Sequence, residues 1–165
     1  MSTPAAPGFR VGIGYDSHRF AEGHGVLVGG VLIPASVRCT GHSDADAVCH
    51  ALTDALLGGA GIGDIGEMFP DTAPENAGRD SIEMLRVAAA RVRAAGWAPA
   101  QADLTVIAET PRIGPHRAAI RERLAAALGV EPDDVMVKGK TNEGMGWIGR
   151  GEGIACIAVA TLVRA

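Results

Sequence analysis

The sequence predicts an α+β fold: a single domain in which helices pack on one side of a mixed sheet, as a two-layer sandwich. Three observations carry that expectation. Strand-like and helix-like segments interleave along the chain. The segment Gly25–Pro34 reads as a hairpin turning at Gly29-Gly30, which demands antiparallel pairing and argues against a doubly wound parallel sheet. Finally, 165 residues with 47% hydrophobic and 21% charged side chains make one domain's worth of chain, enough to build a core without disulfides.

The elements follow in order. The opening MSTPAAPG lacks the charged and apolar regions of a secretion signal and reads as a short disordered tail over 1–8, ahead of a domain at 9–165. Phe9–Tyr15 reads as the first strand, before the hairpin. A helix is expected over about Ala45–Leu57, with Ser43 at the N-cap, Asp46 three residues on, and Gly58 at the stop. Ala47, Val48, Ala51, Leu52, Ala55 and Leu56 form its apolar stripe, while Asp46, His50 and Asp54 share another face. A second helix spans Ser81–Ala95, capped by Asp80 with Glu83 and closed by Gly96. A strand at Ala102–Glu109 leads to a third helix, Pro115–Leu128, with Pro in its first turn and Gly129 beyond its last. A short strand at Val135–Val137 and a longer one at Ile154–Val163 complete the set.

Composition excludes several classes of function. A net charge of −4 and a pI near 5.7 argue against a nucleic-acid partner, which would select a basic face. No apolar run approaches the ~18–20 residues of a membrane span, so no membrane partner is expected. Three cysteines (Cys39, Cys49, Cys156) without a CxxC signal neither a disulfide framework nor a cysteine zinc site, and fit a cytoplasmic, reducing compartment.

Charge and glycine are unevenly spread. From Asp16 to Asp71 there are eight carboxylates against Arg19 and Arg38, a local charge of −6, and four of the five histidines lie in the same stretch. Glycines cluster at Gly58–Gly66 and Gly139–Gly153, which suggests loops shaped around a ligand. Two phosphate motifs fail on context. Gly61-Ile62-Gly63-Asp64-Ile65-Gly66 spells GxGxxG but follows a helix rather than a strand, and Gly139-Lys140-Thr141 lacks the first glycine of a P-loop.

The residues that carry chemistry are Asp16, His18 and His50. Asp16 and His18 are two apart at the end of a strand and so point to the same side. With His50 on the next helix they make one carboxylate and two imidazoles, a three-ligand zinc set with a fourth position open. The same spacing also suits a helix-surface His50 paired with Asp46 or Asp54; under the metal reading those acids become candidates to orient His50. His42-Ser43 ahead of the helix offers an anion site, and Asp64, Asp71 and Glu143 are loop acids suited to a second, hard cation.

Taken together, several spaced motifs resemble the 2-C-methyl-D-erythritol 2,4-cyclodiphosphate synthase family. They are Gly12-Ile13-Gly14-Tyr15-Asp16-Ser17-His18, His42-Ser43-Asp44-Ala45-Asp46 leading to His50 and Gly58, Gly63-Asp64-Ile65-Gly66 with Phe69-Pro70-Asp71, Thr141-Asn142-Glu143, and Gly149-Arg150-Gly151-Glu152-Gly153. The resemblance implies a homotrimer with active sites shared between neighbours. It also implies cyclisation of 4-diphosphocytidyl-2-C-methyl-D-erythritol 2-phosphate with release of CMP, in non-mevalonate isoprenoid biosynthesis. Carried over residue by residue, it implies Zn²⁺ on Asp16, His18 and His50, transition-state stabilisation by His42 and Thr141, and Mg²⁺ or Mn²⁺ at Glu143. The erythritol end would meet Asp64, Ile65, Gly66, Phe69, Pro70, Asp71, Thr72 and Ala73. The cytosine end would meet Ala108, Glu109, Thr110, Pro111, Arg112, Ile113, Gly114, Lys140 and Thr141. Ser17, Ser43, Asn142, Trp147 and Arg150 would also lie near substrate. Arg150 and Glu152 near a three-fold axis would also motivate a rival reading, a non-catalytic trimer that senses an isoprenoid diphosphate in a central cavity, a binding able to coexist with catalysis. The alternative is a zinc-dependent phosphohydrolase acting on a nucleoside diphosphate derivative, in which the open metal position activates water.

Overall fold

A computed structural model describes residues 8–165 and is organised about its longest strand, β1 (Phe9–Glu22). A hairpin of β2 (Gly25–Val28) and β3 (Val31–Pro34) follows, then a short β4 (Val37–Cys39) that returns to pair with β1. Helix α1 (Ala47–Ala60), a single turn α2 (Ile65–Met68) and helix α3 (Ser81–Ala94) lead to β5 (Trp97–Ile107). Helix α4 (Arg117–Leu128), β6 (Val135–Lys140), a second single turn α5 (Gly146–Gly149) and β7 (Gly153–Arg164) complete the chain. The main sheet runs β4-β1-β7-β5-β6, with every neighbouring pair antiparallel except β5 and β6. The expected mixed sheet and antiparallel hairpin are both present.

Register separates two faces. Gly14, Ala158, Leu104 and Val137 form one row across β1, β7, β5 and β6, and all four are buried under the helices. The next row, Ile13, Val159, Asp103 and Met136, lies on the opposite face, which no helix covers. The core therefore sits between one sheet face and the layer of α1, α3 and α4, led by Leu52, Leu56, Leu85, Leu104, Ile120, Leu124 and Leu162.

Several boundaries differ from the sequence reading, each for a physical reason. α1 runs past Gly58 to Ala60 because Gly59 is where helix and strand touch, a Cβ there standing 3.1 Å from the Gly12 nitrogen; the left-handed cap is Gly61. The N-cap is Asp46 rather than Ser43. Its buried carboxylate accepts the N–H groups of Val48 and Cys49 and also those of Gly29 and Gly30, fastening the hairpin turn to the helix. α4 starts at Arg117 because Gly114–His116 form a tighter 3₁₀ turn. β1 extends to Glu22, since β4, missed in the sequence, supplies its far end with a partner. The tail expected over 1–8 lies outside the described residues except at Gly8, whose carbonyl accepts the Arg164 N–H. Among the described residues, no helix is long and apolar enough to cross a membrane.

Candidate metal centre and substrate cavities

β1 has no side chain at Gly12 and Gly14, and α1 lies directly against it. A Cβ on Gly14 would stand 1.8 Å from the Ala51 carbonyl oxygen, and one on Gly12 1.9 Å from that of Ala55. This approach delivers His50, one residue before Ala51, to Asp16 and His18 two and four residues beyond Gly14. Alternation along β1 turns both of those side chains to the helix face.

Three donor atoms meet there. Asp16 Oδ2 is 2.8 Å from His18 Nε2 and 3.1 Å from His50 Nδ1, and the two ring nitrogens are 3.2 Å apart. Donors about 2.0–2.1 Å from one tetrahedral zinc would stand about 3.3 Å from each other, so the triangle is of the right size. The opposite edges of the rings settle which atoms are free. His18 Nδ1 is 3.0 Å from the Thr40 carbonyl, which only accepts, so the proton is on Nδ1 and the Nε2 lone pair faces the trio. His50 Nε2 is 2.9 Å from both Ser43 Oγ and Ser81 Oγ, leaving Nδ1 toward the trio. Two imidazole nitrogens and a carboxylate oxygen converge, a donor set that suits a cation. The Asp16 carboxylate and the His18 imidazole support each other's charged forms. Burial works to raise the Asp16 carboxyl, but the hydrogen bonds and charges of His18 and His50 outweigh it and hold it below the usual range. Burial likewise works against protonated His18, yet Asp16 raises it overall.

Neither Asp46 nor Asp54 orients His50. Asp46 is fully used by backbone N–H groups, and Asp54 accepts the Ile65 N–H at 2.7 Å, tying α2 to α1. Burial raises the Asp54 carboxyl above its ordinary value. Ser43 and Ser81 are the neighbours of His50 instead. Nothing in the sequence pattern marked Ser81, which reads as the first residue of an ordinary helix; only the α1–α3 packing brings it in.

A cavity of about 560 Å³ opens over the trio, lined by Asp16, His18, His42, Ser43, His50, Ile65, Gly66 and the loop Phe69–Thr72, together with Gly41, Asn76 and Met84. His42 is held near its mouth, its Nδ1 3.8 Å from Asp71 Oδ1, and its carbonyl accepts the Gly78 N–H. Arg79 stacks over Phe69 and reaches Asn76, which in turn donates to the Pro70 carbonyl, so the far wall is cross-braced. A second cavity of about 400 Å³ is lined by Ala108, Glu109, Pro111–Pro115, Arg117, Gly139, Lys140 and Thr141. His42 and Thr141 therefore line different cavities of one chain. Ser17, Ala155, Ile107 and Lys140 are successive partners across β1, β7, β5 and β6. The two sites thus lie toward the same end of the sheet, three strand spacings or about 14 Å apart.

Other expected site residues stand outside these two cavities. Asp64 caps α2 by accepting the Glu67 N–H and faces a smaller cavity with Glu67 and Arg91. Ser17, on the uncovered face of β1, shares a further small cavity with Trp147 and Glu152. Arg150 is paired with Glu152 at 3.2 Å. Ala73 caps a 3₁₀ turn, and Thr110 precedes the cis-Pro111 bond. Asn142 and Glu143 sit on the loop after β6. Glu109 Oε1 accepts the Asn142 and Gly144 N–H groups, and Glu143 adopts a positive φ of 54° with its N–H directed to Thr141 Oγ1.

The model of the YgbB family matches residues 9–163. A 2-C-methyl-D-erythritol 2,4-cyclodiphosphate synthase of Gemmatimonas aurantiaca is 62% identical over 154 residues, covering 93% of either chain. A solved synthase of that name in a CDP-bound form superposes with a TM-score of 0.85 at 41% identity, covering 93% of this chain and 99% of that one. The bifunctional IspDF of Campylobacter jejuni superposes with a TM-score of 0.91 at 36% identity. It covers 95% of this chain but only 42% of its own, so that relative carries a further unit.

Proposed function

The chain belongs to the YgbB family, and from that premise we propose how its own residues carry the family's reaction. The activity is cyclisation of 4-diphosphocytidyl-2-C-methyl-D-erythritol 2-phosphate to the 2,4-cyclodiphosphate with release of CMP, a phosphorus–oxygen lyase step in isoprenoid precursor synthesis. The substrate's 2-phosphate oxygen forms a bond to the β-phosphorus as the bond from that phosphorus to CMP breaks, so neither water nor a side-chain nucleophile is consumed. The synthase relatives leave the phosphohydrolase alternative without support.

Binding both ends of one molecule makes the attack intramolecular and oriented, which in model systems supplies about 7–11 kcal/mol of the barrier. The first cavity takes the erythritol end against Ile65, Gly66 and the Phe69–Thr72 wall, with Asp64 and Ala73 at its margin. The second takes the cytidine end, between the Ala108–Gly114 loop and Lys140. Asp16, His18 and His50 would hold a zinc ion, and the convergence of their three donor atoms is the observation that carries this reading. Zinc, when bound, supplies positive charge against the phosphate oxygens. His42 donates a hydrogen bond toward the developing charge, Ser43 adds a hydroxyl from the loop ahead of α1, and Thr141 acts from the nucleotide side. Glu143 and the diphosphate would hold Mg²⁺ or Mn²⁺, with Asn142, Trp147, Arg150 and Ser17 at the periphery.

The chain is inferred to work as a homotrimer in the cytoplasm, with one subunit's first cavity completed by a neighbour's second. Two features support this: His42 and Thr141 line separate cavities, and the residues of β1 on the uncovered sheet face are apolar, with Ile13 71% and Phe9 58% exposed. An isoprenoid diphosphate near Arg150 and Glu152 would be an additional anionic ligand of that assembly. The test is turnover of the diphosphocytidyl substrate combined with metal analysis. CMP and a cyclic product free of solvent oxygen, from protein carrying one zinc per chain, are expected. Labelled solvent oxygen in the product phosphates would overturn cyclisation, and full activity without metal would overturn the zinc assignment.

A further inference from the structure

Ser81 and Asp44 lie beyond the residues so far given a part in the reaction, and their hydrogen bonds fix something the reaction needs. Ser81 is the first residue of α3 and only 1% exposed. Its N–H donates to Asp44 Oδ2 at 2.9 Å, and its hydroxyl donates to Asp44 Oδ1. Asp44 is itself held, its N–H donating to the Arg79 carbonyl. A serine hydroxyl has one proton. Since the Asp44 carboxylate only accepts, that proton is committed to it, and the Ser81 oxygen presents lone pairs alone to His50 Nε2 at 2.9 Å. His50 Nε2 must therefore carry a proton, which leaves Nδ1, facing Asp16 and His18, as the nitrogen whose lone pair a metal can take.

Ser43 does not impose this choice. Its hydroxyl is also 2.9 Å from Nε2 but has no carboxylate partner, and so is able to donate or to accept. Only Ser81, with its proton withdrawn by Asp44, has a fixed direction.

We propose that Asp44 and Ser81 are positioning residues that lock His50 in the Nε2–H tautomer, so that its Nδ1 lone pair is preformed as a metal ligand. This rests on the zinc reading of the Asp16–His18–His50 trio. The inference makes two variants differ in kind. In Ser81→Ala the directing acceptor is lost and Ser43 alone remains, so the tautomer is no longer fixed. In Asp44→Asn the amide oxygen still accepts the Ser81 N–H, while the amide NH₂ donates to Ser81 Oγ. The Ser81 proton is then free to turn toward Nε2, which favours the Nδ1–H tautomer and blocks the ligand atom.

The experiment is ¹⁵N NMR of the imidazoles in the chelator-stripped full chain, with zinc affinity measured by chelator competition. Wild type is expected to show His50 protonated at Nε2. Ser81→Ala is expected to show mixed tautomers and zinc affinity lowered about 10- to 100-fold. Asp44→Asn should shift His50 toward Nδ1–H and bind zinc more weakly than Ser81→Ala. A wild-type His50 with a bare Nε2 would overturn the proposal whatever the variants do, including a variant that fails to fold. So would folded Ser81→Ala that keeps both the tautomer and the affinity of wild type. Failure of wild type itself to bind zinc at the trio would instead remove the underlying metal reading.

Discussion

The two faces of the sheet are built from the same strands, often from adjacent residues, and they are finished to very different degrees. On the helix side, Gly12 and Gly14 let α1 touch β1, and the polar groups of the metal trio have partners on both edges of each ring. On the other side, one residue out of step, Phe9, Val11, Ile13 and Tyr15 stand in solvent beside Ile157 and Val163. The helix side is complete within one chain, whereas the open side spends large apolar side chains on nothing in that chain. A one-residue step along a strand thus separates a face the chain finishes by itself from an apolar one it leaves open.

The sharpest way to break this contrast is to spoil the contact that makes the finished face. Gly14→Val puts a branched side chain where even a Cβ would stand 1.8 Å from the Ala51 carbonyl oxygen, a backbone atom that cannot step aside without moving α1. The expected cost exceeds about 4 kcal/mol, a large part of the 5–15 kcal/mol that holds a typical domain. The variant should be unfolded or lose zinc stoichiometry, as read by thermal denaturation and metal analysis; a native melting curve with full zinc would refute the close-packing account. His50→Ala comes next, because it removes a ligand without disturbing that backbone contact. Zinc should be lost and turnover should fall by roughly 10²–10³-fold or more, while sedimentation still reports the wild-type oligomer.

How much of this was legible in the sequence depends on whether the information was local. Alternation placed Asp16 and His18 on one side of a strand, and the helix period placed His50 on a polar stripe, so the trio was readable. Helices α1, α3 and α4 were likewise marked by caps and glycines, to within a few residues. Partnerships across elements were not. Asp46 looked like a companion of His50 because both fall on one helix face, but it is consumed by the hairpin turn, and the orienting hydroxyls come from Ser43 and from Ser81 on α3. β4 and the single-turn helices α2 and α5 were missed because three or four residues carry no periodic signal. The apolar open face was invisible for a related reason. Phe9, Val11, Ile13 and Tyr15 are as apolar as a core stripe, so alternation alone does not tell which side of β1 meets the helices.

That open face supplies the third prediction. Ile13→Asp places a charge at the middle of the apolar row without touching the helix side. Loss of the Ile burial, about 1.5–3 kcal/mol per subunit, together with a carboxylate that burial would leave unpaired, should give a monomer. Its zinc content should stay at the wild-type level while turnover falls with the assembled fraction, as followed by light scattering and product release. A variant that stays trimeric and active would place the subunit contacts on another surface.

The smallest effect is expected at Glu143, which contrasts with the trio in how it is held. The trio is fixed by packing, whereas Glu143 rides on a loop whose anchor is another residue, Glu109, accepting the flanking Asn142 and Gly144 N–H groups. Glu143 contributes its backbone N–H to Thr141 and leaves its carboxylate exposed. Glu143→Gln should therefore keep the loop, the zinc and the fold, and change only the charge offered to a second cation. The expected result is a roughly tenfold higher Mg²⁺ or Mn²⁺ requirement, equivalent to about 1.4 kcal/mol, with turnover recovered at saturating metal. Glu109→Gln provides the control, because an amide oxygen is a weaker acceptor for two N–H groups than a carboxylate. It should weaken substrate binding as well as cation dependence. If Glu143→Gln leaves the metal titration unchanged while Glu109→Gln shifts it, the loop geometry rather than the Glu143 carboxylate sets the second-cation dependence.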